Sequence, residues 1–280
     1  MANLKAIRKR ITSVQSTKKI TRAMNMVAAA KLRKMEQRLL AMRPYADTLI
    51  ALVEKLNYHM ETIHPFYTQR EGGVPFYVFI SEDKGLCGSF NSNIIRLGRD
   101  LIKENPRAYV AVMGKKVKDA FRRMDISVEA AYSDIFDPPT YHAAQEIADF
   151  LSGFYLEHED VSKIIVVYNR FKNSIVSEIT QETFLPRIRE IEEPRRIFLA
   201  EPDVTSMLEA AMKEYLESEI YRIMMESLAS EHGARMTAME AATDNAEEMI
   251  NDLVLKANRE RQSMITTEIS EIVGGANALQ

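Results

Sequence analysis

Leu4, Ile7, Ile11, Val14, Lys18, Thr21, Asn25, Ala28, Leu32, Met35, Leu39, Met42, Ala46, Leu49, Val53 and Leu56 follow one another at alternating steps of three and four residues. That spacing keeps side chains on one stripe of a helix and is the seam of a coiled coil. The seam is apolar except at Lys18, Thr21 and Asn25. Asn3 is placed to cap the helix start, and Pro44 is expected to bend its axis. A second stripe begins after Glu201-Pro202-Asp203. It runs through Leu208, Met212, Tyr215, Leu216, Ile220, Ile223 and Met224. Met249, Ile250, Leu253, Ala257, Ile265, Ile269, Ile272 and Val273 continue it to a stop predicted at Gly274-Gly275.

Helix breakers respect these limits. All nine prolines lie between Pro44 and Pro202, and seven of the ten glycines lie between Gly72 and Gly153. Between the two stripes the period changes. Val74–Ser81, Ala108–Met113 and Lys163–Tyr168 are short, β-branched and aromatic, as buried strands are, and Ser174–Phe184 reads as a further strand ending at Pro186. Helical patterns at Asn91–Glu104, Lys115–Arg123 and Tyr141–Glu157 separate them. The alternation predicts a Rossmann-like α/β domain with a mainly parallel sheet. The expected organisation is therefore α plus α/β. Residues 1–60 and 204–280 pair as a long antiparallel two-helix coiled coil, and residues 61–203 form the central domain.

The two helices are unequal. If both leave one centre, Leu4 falls opposite a residue near position 258, and roughly the last 20 residues lack a partner. That tip still carries Ile265, Ile269, Ile272 and Val273. Leaving such side chains in water forgoes about 1.5–3 kcal/mol each, so a partner is expected to cover them. Fourteen of the sixteen methionines lie outside residues 61–203, where methionine at heptad spacing fills a core adaptably. Met24, Met26, Met236 and Met239 are candidates for a slippery surface.

Charge sharpens the asymmetry that the net value of -3 conceals. Residues 1–43 carry twelve basic side chains against one acid, and residues 204–280 carry fourteen acids against six bases. Such segments attract each other when paired. No apolar run approaches the ~18–20 residues of a membrane span, and no secretory signal opens the chain. A single cysteine, Cys87, leaves no disulfide framework or cysteine-based zinc site and suggests a reduced setting.

Candidate chemistry is sparse. The glycine turn in Ser81–Asn91 sits between a strand and a helix, where a phosphate can bind, yet neither G-x-x-x-x-G-K-[ST] nor G-x-G-x-x-G occurs. A tight turn that places the next helix is the simpler reading. His59, His64, His142, His158 and His232 have no metal-ligand spacing. No catalytic residue, cofactor or metal is expected.

The pieces resemble the gamma subunit of the bacterial-type F1Fo ATP synthase. The opening run Ile11–Ala28, the loop Asp83-Lys84-Gly85-Leu86-Cys87-Gly88, and the blocks Ala234–Asn245 and Arg261–Ile269 carry the resemblance, in the family's order. The loop has Lys84 and Ser89 where the family usually has Arg and Gly. The resemblance implies a non-catalytic central rotor shaft inside an alpha3beta3 hexamer, with its foot on the epsilon subunit and the c-ring. It implies coupling of ion-driven rotation to ATP synthesis or hydrolysis at beta-subunit sites. It also implies a peripheral position on the cytoplasmic face of the bacterial plasma membrane. Carried over by position, Met24, Arg235, Arg261, Gln262, Thr266 and Glu268 become contacts with beta, with Lys18, Lys19 and Arg22 beside Met24. Glu201 and Asp203 become foot contacts with epsilon and the c-ring.

Two other readings compete. A basic coiled-coil nucleic-acid-binding protein would use the first 43 residues, but the acidic last segment would repel phosphate. A small α/β enzyme with helical flanks would need ligand binding by residues 61–200, for which the sequence supplies no phosphate motif.

Overall fold

The computed structural model describes residues 2–60, 63–173, 176–187, 201 and 203–278. The chain divides into two compact units, one of Met1–Ala28 with Arg235–Gln280 and one of Ala29–Ala234.

The larger unit is built on a five-stranded sheet of order β3-β2-β1-β4-β5. Its strands are β1 (Val74–Ile80), β2 (Tyr109–Met113), β3 (Ala130–Tyr132), β4 (Val161–Phe171) and β5 (Ser177–Leu185). β1 pairs in parallel with β2 and β4, β2 in parallel with β3, and β4 antiparallel with β5. Helices α2 (Phe90–Glu104), α3 (Lys115–Arg123) and α4 (Tyr141–Glu157) connect them. Strand order reverses at β1, which gives the doubly wound arrangement.

The continuous apolar runs are explained by burial on both faces. Phe76, Val78 and Ile80 of β1 point into the cluster that α4 and the long helices cover, and Tyr77 and Phe79 point into the cluster under α2 and α3. β2 and β4 split the same way, with Val110, Val112, Ile165 and Val167 on the second face. Two glycines make this packing possible. A Cβ on Gly98 of α2 would come within 2.7 Å of the Phe121 ring of α3. Gly114, which opens α3, has φ +99, and a Cβ there would lie 2.0 Å from the Ser81 carbonyl oxygen.

The terminal helices are α1 (Ala2–Tyr58) and α5 (Val204–Ala278). All sixteen seam positions of α1 are buried or half-buried, and none is exposed. Pro44 lies within the helix, and the Thr48 hydroxyl takes up its carbonyl at 2.7 Å. The part of α5 in the larger unit is enclosed more completely. From Tyr215 to Gly233 nearly every residue is buried, including Glu217, Glu219 and Glu231.

Two expectations are corrected, and one strand, β3, was not anticipated. α5 runs through Gly274-Gly275 to Ala278, because glycine weakens a helix by about 1 kcal/mol without forbidding it. α1 already includes Asn3, so that residue is not its cap. Strand β3 is too short and half-exposed to leave an apolar signature. The predicted start of β5 at Ser174 lies outside the described residues, as does Pro202.

Candidate functional site

The smaller unit is an antiparallel helix pair, and its polar seam positions fix the register. Lys18 Nζ lies 2.8 Å from a Glu247 carboxylate oxygen. The Thr21 and Thr243 hydroxyls share a hydrogen bond of 2.8 Å. The Asn25 side-chain amide donates to the Met236 carbonyl at 3.0 Å. As one partner advances the other recedes, which is the signature of antiparallel pairing. All three polar side chains reach across to α5, and such part-buried polar contacts choose one register among many at some cost in stability. The Lys18 ammonium, by hydrogen bond and then by charge, holds the Glu247 carboxyl below its usual range.

The same register places Leu4 opposite a residue near position 261 and leaves the end of α5 uncovered within its unit. Ile265, Ile269, Ile272 and Val273 are 48%, 55%, 71% and 53% exposed. At about 100° per residue these four form one stripe, and the positions that face α1 higher up, Ile250, Leu253 and Ala257, lie on a neighbouring one. Arg261 and Glu268, seven residues apart, border the apolar stripe on one side. Gln262 and Thr266, four apart, lie toward its other edge, with Gln262 between Ile269 and Val273. All four are exposed. Thr266 Oγ1 turns back to the Gln262 carbonyl at 3.0 Å, which leaves its methyl group outward. A greasy strip flanked by polar groups is suited to lying against a protein wall.

Met24 and Arg235 are both half-buried and lie at one level of the pair, beside the Asn25–Met236 bond. Lys19 and Arg22 are exposed there, and Met26 and Val27 are 61% and 57% exposed. Of the four methionines considered for a slippery surface, only Met26 is exposed, and Met239 is buried in the pair.

Glu201 and Asp203 belong to the larger unit. Glu201 is exposed. Asp203 caps α5: its carboxylate accepts from the Ser206 amide at 2.9 Å and from the Ser206 hydroxyl at 2.9 Å. The backbone bond from Ser206, then the hydroxyl, lowers its pKa. The signal was present as an aspartate just before the apolar period with a serine three residues on.

A charge cluster that sequence reasoning missed anchors α5 to the sheet. The Arg222 guanidinium donates to Glu182 of β5 at 2.6 Å, to Glu219 at 3.1 Å and to Glu226 at 3.0 Å. The Tyr168 hydroxyl of β4, with one proton to give, lies 2.8 Å from a Glu182 and 3.1 Å from a Glu226 carboxylate oxygen. Burial acts to lower the Arg222 pKa, and the three carboxylates more than reverse it. A second tie uses Glu214 of α5, which accepts from Tyr45 of α1 and Tyr141 of α4, each at 2.7 Å. Burial, then the bond to Glu214, raises the Tyr45 pKa to about 12. Only the Glu-x-x-Arg-x-x-x-Glu spacing in α5 hinted at the cluster, because Glu182 joins it through tertiary folding.

The loop after β1 is held from within. Asp83 accepts from the Lys115 and Asp134 amides at 2.8 and 3.0 Å. Asn91 accepts from the Glu82 amide at 3.0 Å and donates to the Lys84 carbonyl at 3.3 Å. Lys84 and Lys31 both reach Asp137, whose pKa is lowered first by the Lys84 bond. Its polar groups are engaged in holding the turn, in keeping with a structural role. Cys87 is buried beside Asn91. Among the described residues there is no cluster of histidine, cysteine and carboxylate suited to a metal ion. Nor is any described helix long and apolar enough to cross a membrane.

Comparison with known proteins agrees with this geometry. The family model described as ATP synthase matches residues 3–279. The ATP synthase gamma chain of Moorella thermoacetica is 42% identical over 288 residues, covering 100% of both chains. That of Desulfitobacterium hafniense is 40% identical over 286 residues with the same coverage. Among solved structures, a chain of the Tetrahymena thermophila mitochondrial ATP synthase central stalk and c-ring superposes with a TM-score of 0.63 at 26% identity. It covers 80% of this chain and 99% of its own. A chain of the Euglena gracilis mitochondrial ATP synthase reaches a TM-score of 0.74 at 18% identity, covering 99% and 95%, which speaks for the fold alone.

Proposed function

The chain belongs to the ATP synthase gamma-chain family, and from that membership we infer that it is the central rotor shaft of F1Fo ATP synthase. It is a non-catalytic subunit that couples rotation of the c-ring to ATP synthesis or hydrolysis in the alpha3beta3 hexamer. The observation that carries this reading is the unequal helix pair, in which α5 outruns α1 and ends in an exposed apolar stripe. A shaft that drives equivalent sites through different states must present a different face to each. A lone helix emerging from a pair does so, whereas a symmetric bundle would not.

In this reading the stripe Ile265, Ile269 and Ile272 seats in an apolar sleeve of the ring. Arg261, Gln262, Thr266 and Glu268 meet polar groups of beta at its borders. Met24 and Arg235 meet beta lower on the pair, with Lys19 and Arg22 exposed beside them. Glu201 lies at the foot toward epsilon and the c-ring, and Asp203 supports that contact as the α5 cap. The subunit is peripheral, held to the membrane through Fo on its cytoplasmic face. Nucleic-acid binding has no support from the relatives.

Truncation after Glu260 tests the reading. It removes the uncovered tip and leaves the Lys18, Thr21 and Asn25 contacts in place. The expected result is an unchanged circular dichroism melt of the isolated chain, together with weakened ring assembly or coupled ATP synthesis. Unchanged assembly and coupling would contradict it.

A further inference from the structure

Helix α4 runs antiparallel to α5 within the larger unit. Tyr141 meets Tyr221, Gln145 donates to Glu217 at 2.9 Å, and Asp149 pairs with Lys213 at 3.0 Å. Beyond that pair a cleft of about 420 Å³ opens between α4, the first turns of α5 and the turn Pro65–Tyr67. Its buried lining is apolar, formed by Phe66, Ala148 and Leu216. Ile63 and Leu156 stand on its rim, 76% and 49% exposed. Covering side chains of this size is worth about 1.5–3 kcal/mol each, so the rim and the cleft together favour an apolar occupant. Thr205 and Glu209 also line the cleft, roughly 40 Å along α5 from the point where that helix leaves the unit after Ala234. In the rotor reading that end is the foot.

Charge narrows the choice of occupant. Residues 141–160 and 201–217 hold ten carboxylates against a single lysine, Lys213, and no arginine. That lysine is taken by Asp149. Glu209 is exposed at the cleft, and among the described residues no ion pair reaches it. His64 brings no countercharge, because its Nδ1 accepts from the Phe66 amide at 3.2 Å and burial lowers its pKa. Anionic headgroups would be repelled here. A large apolar side chain beside a lysine or arginine satisfies both the lining and Glu209. Short cytoplasmic loops between membrane helices supply that combination, being rich in Lys and Arg and bordered by aromatic residues.

We propose that the cleft seats an apolar side chain of one c-ring loop, while a basic residue of the same loop pairs with Glu209. The proposal rests on the rotor reading for its partner. A ring presents the same loop at every step around its axis, so charge alone would let the foot slip from one loop to the next under torque. A side chain lodged in the cleft must first leave it, which keys the shaft to the ring.

The test uses the whole F1Fo assembly. Co-purification of the wild-type chain with the catalytic ring and the c-ring is read first, so failure of the rotor reading shows before any variant is compared. Leu156→Cys then carries a benzophenone maleimide, Cys87 being buried. Illumination should join this chain to a c subunit. Binding of F1 to purified c-rings in nanodiscs, where no stationary contact contributes, measures the seat. Glu209→Gln, and Ile63→Ser with Leu156→Ser, should each weaken it about tenfold. Glu104→Gln, an exposed carboxylate on α2 that does not line the cleft, should stay within about twofold of wild type. Illumination that joins the chain to epsilon, to lipid or to nothing would overturn the proposal, as would cleft variants that bind the c-ring within about twofold of wild type.

Discussion

Replacing Arg222 with Met should loosen α5 from the sheet at a cost that can be worked from the contacts. The guanidinium is one-fifth exposed and serves Glu182, Glu219 and Glu226 at 2.6–3.1 Å. Methionine keeps the apolar stem and removes the charge, so the loss is that of leaving buried carboxylates without their cation. Breaking a buried pair in this way costs about 3–5 kcal/mol. Here the lower end applies, because Arg170 stands 3.6 Å from Glu182 and 3.8 Å from Glu226 and the Tyr168 hydroxyl stays within reach of both. Among the described residues Glu219 keeps the long approach of Arg187 at 3.9 Å. About 3 kcal/mol at an m-value of about 2 kcal/mol/M moves the urea midpoint down by roughly 1.5 M. Adding Glu219→Gln should restore about 1 kcal/mol by removing the charge left with least compensation. Urea unfolding followed by circular dichroism measures both effects. A midpoint shift below about 0.3 M, or a double variant no more stable than the single one, would refute the view that this cluster anchors the helix.

Gly114→Ala should cost about 2–4 kcal/mol, read by thermal melting, since it meets both a left-handed φ of +99 and the Ser81 carbonyl 2.0 Å away. Thr21→Val alone should cost about 0.5–1 kcal/mol, since the Thr243 hydroxyl loses its partner on α1 but still donates to the Met239 carbonyl at 2.7 Å, and a double-mutant cycle with Thr243→Val should return a coupling of that size. Lys18→Gln should remove part of the acid-side pH dependence of the helix pair. The depressed Glu247 carboxyl contributes stability above its unfolded pKa that is lost as pH falls through the folded value. Melts of the two chains should therefore converge at low pH.

Much of this architecture was legible in residue order because it rests on local periodicity. The heptad steps from Leu4 to Leu56 predicted sixteen inward positions, and the strand runs of β1, β2 and β4 announced burial on both faces. The three loop-to-strand helices were equally plain, since each is amphipathic and bounded by turn residues. The features that escaped are those made by contacts distant in sequence. Glu182 meets Arg222 across 40 residues, and Tyr45 meets Glu214 across 169. Nothing near Lys18, Thr21 or Asn25 shows that each has a mate on α5. Their polarity was legible and its satisfaction was not. Strand β3 was missed for a different reason: three residues, none of them buried, are too few to carry a period. Position alone supplied the contacts assigned to beta, while the structure adds that four of them border one apolar stripe.

The central claim is that this chain turns within a ring. Val176, 47% exposed beside β5, can carry a cysteine for a bead, because Cys87 is buried. With the ring fixed to glass and ATP supplied, the account predicts unidirectional rotation of the bead with three dwell orientations per turn, one for each beta site. ATP hydrolysis by the same tethered assemblies with the bead stationary would contradict it.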